Sequence, residues 1–181
     1  MKNIIVLLAV TFITSFAVQA QSRFKIAEPY VTFFAGTPLE DIDANSDKLV
    51  GVLDVEKKSF AFRIAMNTFQ FKRELMQEHF NENYLETDKY PNSEFRGIIK
   101  GDFDISKVGE YAVTAEGKFS IHNIEKEYSV PAVINVTKDT VSINAVFPIQ
   151  LKDHDIKIPT IVLMKIAEKA DVTVKAKLVA L

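Results

Sequence analysis

Four segments of the chain alternate between apolar and polar residues with a period of two, and this pattern constrains the fold more than any other feature. They cover residues 59–66, 111–121, 141–149 and 172–178. Because successive side chains of a β-strand point to opposite faces, each segment would bury one face and expose the other. Weaker strand signals cover residues 30–35, 47–56, 94–101 and 128–137. Many short strands at this spacing predict an all-β sandwich or a closed antiparallel barrel.

One segment departs from the strand pattern. Within residues 71–84, apolar and aromatic side chains recur at helical spacings, at Leu75, Met76, His79, Phe80 and Tyr84. This spacing predicts a short amphipathic helix with one apolar stripe. A second helical turn is predicted near residues 159–168. No repeat or linker divides the chain, and 181 residues are typical of one domain.

The N-terminus has the layout of a secretory signal peptide. Lys2 is followed by an uncharged, mostly apolar run over residues 4–18 and then by Val18-Gln19-Ala20. The run is shorter than the roughly 20 residues of a membrane-spanning helix. We therefore expect a signal peptide over residues 1–20, cleaved after Ala20, a barrel domain over residues 21–181, and no permanent membrane span. The protein would be periplasmic or secreted.

Composition excludes several function classes. The chain has no cysteine, which rules out disulfides, a thiol nucleophile and zinc–thiolate sites. Its 22 basic and 24 acidic residues give no general attraction to nucleic acid. No glycine-rich phosphate loop and no Gly-x-Ser-x-Gly motif is present. The sequence therefore predicts no enzyme and no cofactor.

The three histidines lie far apart, without the local spacing of a metal site, so no metal is expected. His79 lies on the helix stripe, either as a structural hydrogen-bonding group or in contact with a ligand head group. His122 stabilises a turn or, alternatively, contacts a ligand. His154, between two aspartates, is expected on the surface.

The charged clusters can be interpreted either as ligand-binding groups or as solvated surface. Lys72, Arg73 and Lys89 could meet a pyrophosphate, or could form a solvated face. Carboxylates are frequent in residues 40–43 and 82–88, where we expect loops and helix faces exposed to water. These clusters alone define no catalytic pair, since two carboxylates must lie across a cleft and sequence does not place them.

Three blocks, taken together and in this order, resemble the YceI-like family. The first covers residues 76–95 and includes Tyr90-Pro91-Asn92-Ser93-Glu94-Phe95. The second covers residues 115–126, with Ile121-His122-Asn123-Ile124 in place of the family's Ile/Leu-His-Gly-Val. The third covers residues 147–159. The family's opening Asp-x-x-His-Ser segment is absent from residues 22–36, so the chain resembles a divergent branch.

The resemblance implies a lipocalin-like, eight-stranded antiparallel barrel with one short helix. Family members bind polyisoprenoid chains inside the barrel, and no general enzymatic activity is attached to them. On this basis we expect an exported carrier of an amphiphilic, isoprenoid-like or fatty lipid. The alternative is a packed barrel that acts in envelope stress or in protein interactions, and a hydrolase is a third class. The oligomeric state stays undetermined, a homodimer included.

Small barrels either fill their interior with side chains or leave room for one ligand, and composition does not separate these cases. If the interior binds a lipid, apolar side chains of the strands and of the helix would line it. The candidates are Phe60, Phe62, Ile64, Met76, His79, Phe80, Phe95, Ile143 and Phe147. For each of them, ordinary core packing is the alternative interpretation.

Overall fold

The computed structural model describes residues 22–36, 41–157 and 168–181. Within these ranges the chain forms ten β-strands: β1 Arg23–Gly36, β2 Asp41–Ser46, β3 Val50–Asp54, β4 Ser59–Ala65, β5 Gln70–Phe71, β6 Asn92–Lys100, β7 Gly109–Ile121, β8 Ile124–Val136, β9 Val141–Gln150 and β10 Lys169–Ala180. The predicted signal peptide and most of the predicted turn at 159–168 lie outside the described residues.

Eight of these strands close into an antiparallel barrel. The order around the ring is β1, β10, β9, β8, β7, β6, β4, β3 and back to β1. β2 extends the wall beyond β3 by pairing with the second half of β1, and β5 pairs with β2. Closure joins the first of these strands to the last, which is one way in which all-β proteins avoid pairing with other chains. The predicted fold class, a lipocalin-like eight-stranded barrel with one short helix, is confirmed.

All eight predicted strands are present, with shifted ends, but β2 and β5 were missed. Residues 40–43 were expected in a solvated loop because they are acidic, yet Asp41–Ser46 is a strand. Pairing with β1 overrides the local sequence here, since Ala44 and Ser46 point into the barrel while Asp43 faces outward. The Asp43 carboxylate lies 3.1 Å from the Lys72 ammonium group.

The predicted helix is shorter than its sequence signal. Helix α1 covers Glu74–His79 and continues as a single π-helical turn over Phe80–Tyr84. Its apolar stripe does not pack entirely into a core, because Leu75 is 61% exposed while Phe80 is buried. Helix α1 lies at the end of the barrel where β4 ends and β6 begins. We call this the helix end.

β1 pairs with both β3 and β2 on the same side, because a β-bulge divides it into two parts. The register against β10 shifts between Ile26 and Glu28. Before the shift, even-numbered side chains such as Phe24 point inward, and after it odd-numbered ones such as Val31 and Phe33 do. Bulges bend a strand and increase its twist. The first part of β1 pairs with β3 and the second with β2. The shift also breaks the period-two pattern, which explains why the sequence signal of this long strand was weak.

Two glycines face each other where β6 and β7 approach most closely. Gly97 is paired with Gly117, and a Cβ added to either residue would overlap a backbone carbonyl of the opposite strand, that of Glu116 or of Arg96. Glycine is therefore required for close backbone approach rather than for a turn. Phe60 lies beside Gly97 on the neighbouring strand.

Substitution of Gly117 tests this close approach. We expect Gly117→Ala to lower the free energy of unfolding by about 1–3 kcal/mol, because the added methyl group forces the strands apart. The measurement is equilibrium unfolding in urea. Gly109→Ala, in the same strand, is the control, since a Cβ there meets only ordinary contacts at 3.5 Å. Equal stabilities of the two variants would contradict this account.

Candidate functional site

The barrel encloses a cavity of about 580 Å³. This volume lies within the range of small-molecule binding sites. Nearly all of the lining consists of apolar side chains from the inner faces of the strands and from the helical segment. The structure brings all nine predicted residues into this lining: Phe60, Phe62, Ile64, Met76, His79, Phe80, Phe95, Ile143 and Phe147. Their contact with a ligand stays a prediction.

The cavity has a floor on the side away from helix α1. Leu53, Ile99, Val113 and Ile134 are buried and line it there. Below them, Phe24, Val136 and Leu178 are buried without lining the cavity. The barrel therefore combines a packed core at one end with a cavity above it. The composition left open a packed core or a ligand cavity, and the barrel interior contains both, at different levels.

A row of aromatic rings lines one side of the cavity. Ring centroids are 4.8 Å apart for Phe60 and Phe95, 6.1 Å for Phe95 and Phe119, and 6.0 Å for Phe119 and Phe147, in edge-on arrangements. Such pairs gain stability beyond the area they bury. Phe119 was not among the predicted lining residues, although it continues the apolar face of β7.

A second aromatic cluster holds helix α1 against the barrel. Phe80 stacks on Phe33 with centroids 5.5 Å apart and lies 5.0 Å from Phe71 and 6.0 Å from Phe69. The Gln77 side-chain carbonyl also accepts a hydrogen bond from the Phe71 backbone N–H at 3.3 Å. Phe33, Phe69 and Phe71 line the cavity too. For Phe69 and Phe71, their spacing of two residues is the sequence signal that could have revealed them.

The cavity reaches the molecular surface beside helix α1. Arg73, Leu75 and His79 are exposed and Met76 is half-buried, yet all four line the cavity. We call this set the mouth. It combines apolar side chains with a guanidinium and an imidazole, which suits the boundary between an apolar tail and a polar head group.

The predicted basic cluster is not assembled as a single site. Lys72 pairs with Asp43, and Lys89 pairs with Glu86. The pKa of Glu86 is lowered, first by the hydrogen bond from Lys89 and then by that from His122. Of the three predicted cations, only Arg73 lines the cavity.

His122 joins three segments at the helix end. It forms the two-residue turn between β7 and β8 with Asn123, and both residues have positive φ, 52° and 59°. This is the geometry of a tight hairpin turn, and Asn tolerates it well. The His122 Nδ1 lies 3.1 Å from the His154 carbonyl oxygen, and its Nε2 lies 3.2 Å from a Glu86 carboxylate oxygen. These contacts favour the turn-stabilising interpretation of His122.

The expectation of a surface His154 was wrong, because this side chain is fully buried. A 3₁₀ turn over Leu151–His154 folds the ring back against β8. His154 Nδ1 donates to the Ile124 carbonyl at 3.1 Å, and Nε2 accepts from the Tyr128 hydroxyl at 3.1 Å. Both bonds suit the neutral ring. The two flanking aspartates predicted exposure, but the tertiary fold buries the His154 side chain.

Two further features concern the described part of the chain only. There, no group of three or more histidine or acidic side chains is placed to hold a metal ion. Likewise, none of the helices in residues 22–36, 41–157 and 168–181 has the length and apolar character needed to cross a membrane.

The fold and the cavity together define a class: lipocalin-like barrels that enclose an apolar, ligand-sized interior. More particularly, the sequence matches the YceI-like domain over residues 18–180, and the chain belongs to this family. A comparison with curated proteins finds no match.

Solved structures share the fold at low sequence identity. A polyisoprenoid binding domain from Saccharophagus degradans, implicated in plant cell wall breakdown, superposes with a TM-score of 0.72 at 12% identity, covering 87% of this chain and 98% of that chain. BcnA of Burkholderia cenocepacia gives 0.68 at 15% identity, covering 82% and 95%. The YCEI protein of Campylobacter jejuni gives 0.54 at 14%, covering 98% and 97%. At these identities the likeness establishes the fold.

The burial of His154 predicts a pH dependence of stability. Burial lowers the pKa of His154 below its ordinary value of 6.5, with a further contribution from Lys126, against the opposing effects of the Ile124 carbonyl and of Asp153. The unfolded chain therefore binds this proton more readily than the folded protein. We expect the free energy of unfolding to fall as the pH decreases from about 7 through the ordinary histidine value.

Replacement of His154 isolates this contribution. His154→Asn should be less stable than the wild type at pH 7.5, because the bond from Tyr128 is lost, but should lose less stability between pH 7.5 and 5. Urea unfolding at several pH values measures both effects. His79→Asn, at an exposed position, should reproduce the wild-type profile. The same pH dependence in wild type and His154→Asn would refute the assignment.

Proposed function

We propose that this protein binds a single amphiphilic, isoprenoid-like lipid, with the tail in the cavity and the polar end at the mouth. The observation that carries the proposal is the enclosed cavity of about 580 Å³ with its almost wholly apolar lining. The structurally similar protein from Saccharophagus degradans is a polyisoprenoid binding domain, which supports this class of ligand.

Apolar area is sufficient to drive such binding. At about 25 cal/mol per Å², removing roughly 400 Å² of tail surface from water contributes on the order of 10 kcal/mol before the costs of association. No charged residue is needed along the tail. The shape of the cavity, the depth of its floor and a polar contact at the mouth would determine specificity. Met76, whose side chain is flexible and polarizable, can adapt to different tails.

We also propose that the protein acts in the periplasm or after secretion, as a carrier rather than an enzyme. The signal-like N-terminus and membership of the YceI-like family support this location. A carrier must protect an insoluble tail between membranes, and a closed barrel with an apolar interior is suited to that task. The alternative of a filled barrel acting only through its surface is less well supported, because the interior holds a cavity.

Native mass spectrometry of the protein isolated from its own envelope tests the proposal. We expect a stoichiometric lipid of discrete mass, and organic extraction with fragmentation would identify its class. A ligand-free mass that stays unchanged after incubation with prenyl lipids would refute lipid carriage. Attention would then move to protein partners of the outer surface.

A cavity-filling substitution tests where the lipid lies. Ala145 lines the cavity between Ile143 and Phe147, so Ala145→Phe would occupy the space of the tail. We expect its lipid affinity to fall roughly tenfold or more, which corresponds to about 1.4 kcal/mol. Isothermal titration with a detergent-solubilised prenyl lipid gives the affinity.

The matched control is Asn144→Phe, which places the same ring on the outer face of the same strand, at an exposed position. It should bind like the wild type. If Ala145→Phe folds, as judged by its circular dichroism, and binds with unchanged affinity, the lipid does not lie in the cavity.

A further inference from the structure

The ladder between β8 and β9 stops halfway along the barrel. Only five residue pairs join the two strands, from Val136 with Val141 to Ala132 with Ala145. Toward the helix end, β8 continues to Ile124 and β9 to Gln150 without pairing to each other. Both strands keep their other neighbours, β7 and β10, over this stretch. We call the unpaired stretch between residues 124–131 and 146–150 the seam.

Two prolines explain why the ladder ends there. The Thr137 N–H donates to the Thr140 carbonyl at 2.8 Å, which makes 137 and 140 a hydrogen-bonded pair. In an antiparallel ladder every second pair is hydrogen-bonded. The last hydrogen-bonded pair of the observed ladder is Val133 with Asn144. If the same register continued, the next two hydrogen-bonded pairs would be Pro131 with Val146 and Ser129 with Pro148. Each contains a proline, which has no N–H to donate.

Side chains close the seam in place of the missing ladder. His154 reaches across from the turn after β9, bonding through Nδ1 to the Ile124 carbonyl and through Nε2 to the Tyr128 hydroxyl. Its own carbonyl accepts from His122 Nδ1 at 3.1 Å if that nitrogen carries the proton. We call the pair His154 and Tyr128 the latch. Among the described residues, the paired register of β8 with β9 includes none of the seam.

At the seam, aromatic side chains lie between the cavity and a groove on the outer surface. On the inside, Phe119 and Phe147 line the cavity. Phe119 contacts both latch rings, with centroids 4.9 Å from Tyr128 and 5.6 Å from His154. On the outside, Tyr128 lines a surface groove of about 350 Å³ together with Lys126, Glu127, Ser129, Pro148, Gln150 and Asp153. Tyr128 thus separates the groove from the rings that enclose the cavity.

We propose that the seam is a lateral gate through which the lipid tail enters and leaves the barrel, and that release of the latch opens it. The inference rests on the proposed function, since it concerns the route of the same ligand. Opening breaks the side-chain bonds of His154 and separates the Phe147 ring from those of Phe119 and Tyr128, but it breaks no residue pair of the β-ladder. A tail passing sideways exchanges its contacts with water for contacts with Phe119 and Phe147 along its length. Helix α1 can stay anchored by Phe80 meanwhile.

A disulfide across the seam tests the gate. Glu127 and Gln150 occupy the next hydrogen-bonded register position after the two prolines, and both line the outer groove. Two cysteines can be bridged where their Cα atoms lie within about 7 Å, and a thiol titration verifies that the cross-link has formed. Glu127→Cys with Gln150→Cys therefore locks the seam, and the chain has no other cysteine to interfere.

The readout is the exchange of a geranylgeranyl lipid with a fluorescent anthraniloyl head group, followed by stopped flow. In the oxidised variant, we expect association and dissociation both to slow roughly tenfold or more with Kd unchanged, because a gate alters the route and not the bound state. Reduction should restore the wild-type rates. Val133→Cys with Asn144→Cys, across the paired half of the same strands, is the control, and its oxidation should leave the rates unchanged.

A second variant tests the gate even if the disulfide does not form. Pro131→Val with Pro148→Val supplies the two missing N–H groups, so the ladder can extend across the seam and should slow exchange in the same way. If neither the cross-link nor the double proline substitution changes the lipid exchange rates, the gate is refuted and the proposed lipid binding is not. A wild-type protein that takes up no probe would overturn the proposed function, and the gate with it.

Discussion

The pairing of β1 with β10 is the interaction on which the rest of the structure depends. Ten residue pairs, from Phe24 with Ala180 to Phe34 with Asp171, join the first described strand to the last. Without them the other strands would form an open sheet whose apolar face could not be covered by so short a helix. With them, the same face becomes an interior. The bulge in β1 makes this possible, because one strand can then follow β10 on one side and both β3 and β2 on the other.

Closure alone does not produce a cavity, and the distribution of side chains decides how the interior is used. Below the floor, large aliphatic and aromatic groups such as Phe24 and Leu178 fill the barrel. Above it, the small residues Ala115, Ala132 and Ala145 line the cavity, and the rings of Phe95, Phe119 and Phe147 pack edge-on against each other. The facing glycines of β6 and β7 allow the two strands to lie close together beside Phe60. An unfilled interior costs stability, so a packed end and an open end are best understood as a compromise.

Much of this could be predicted from the sequence, because period-two alternation is a local signal that survives in the strands β4, β7, β9 and β10. The same alternation identified residues such as Phe60, Phe95 and Phe147 as inward-facing, and helical spacing identified the segment around Phe80. β2 could not be found in this way, since its acidic residues gave no alternating signal and its strand structure depends on pairing with β1 and β5. The burial of His154 depends on a turn that folds back over β8, and no local pattern encodes such a contact.

The seam shows how pairing rules become informative only once the register is known. Pro148 lies in a segment that alternates clearly and Pro131 in one with a weaker strand signal, and in isolation each merely weakens a strand prediction. Given the register, they fall at successive hydrogen-bonded positions of one ladder, on opposite strands. A single proline would remove one bond and leave the next pair intact, whereas this arrangement removes a donor from both. His154 and Tyr128 restore part of the lost cohesion, and their bonds are made by side chains that can separate while the paired strands stay together.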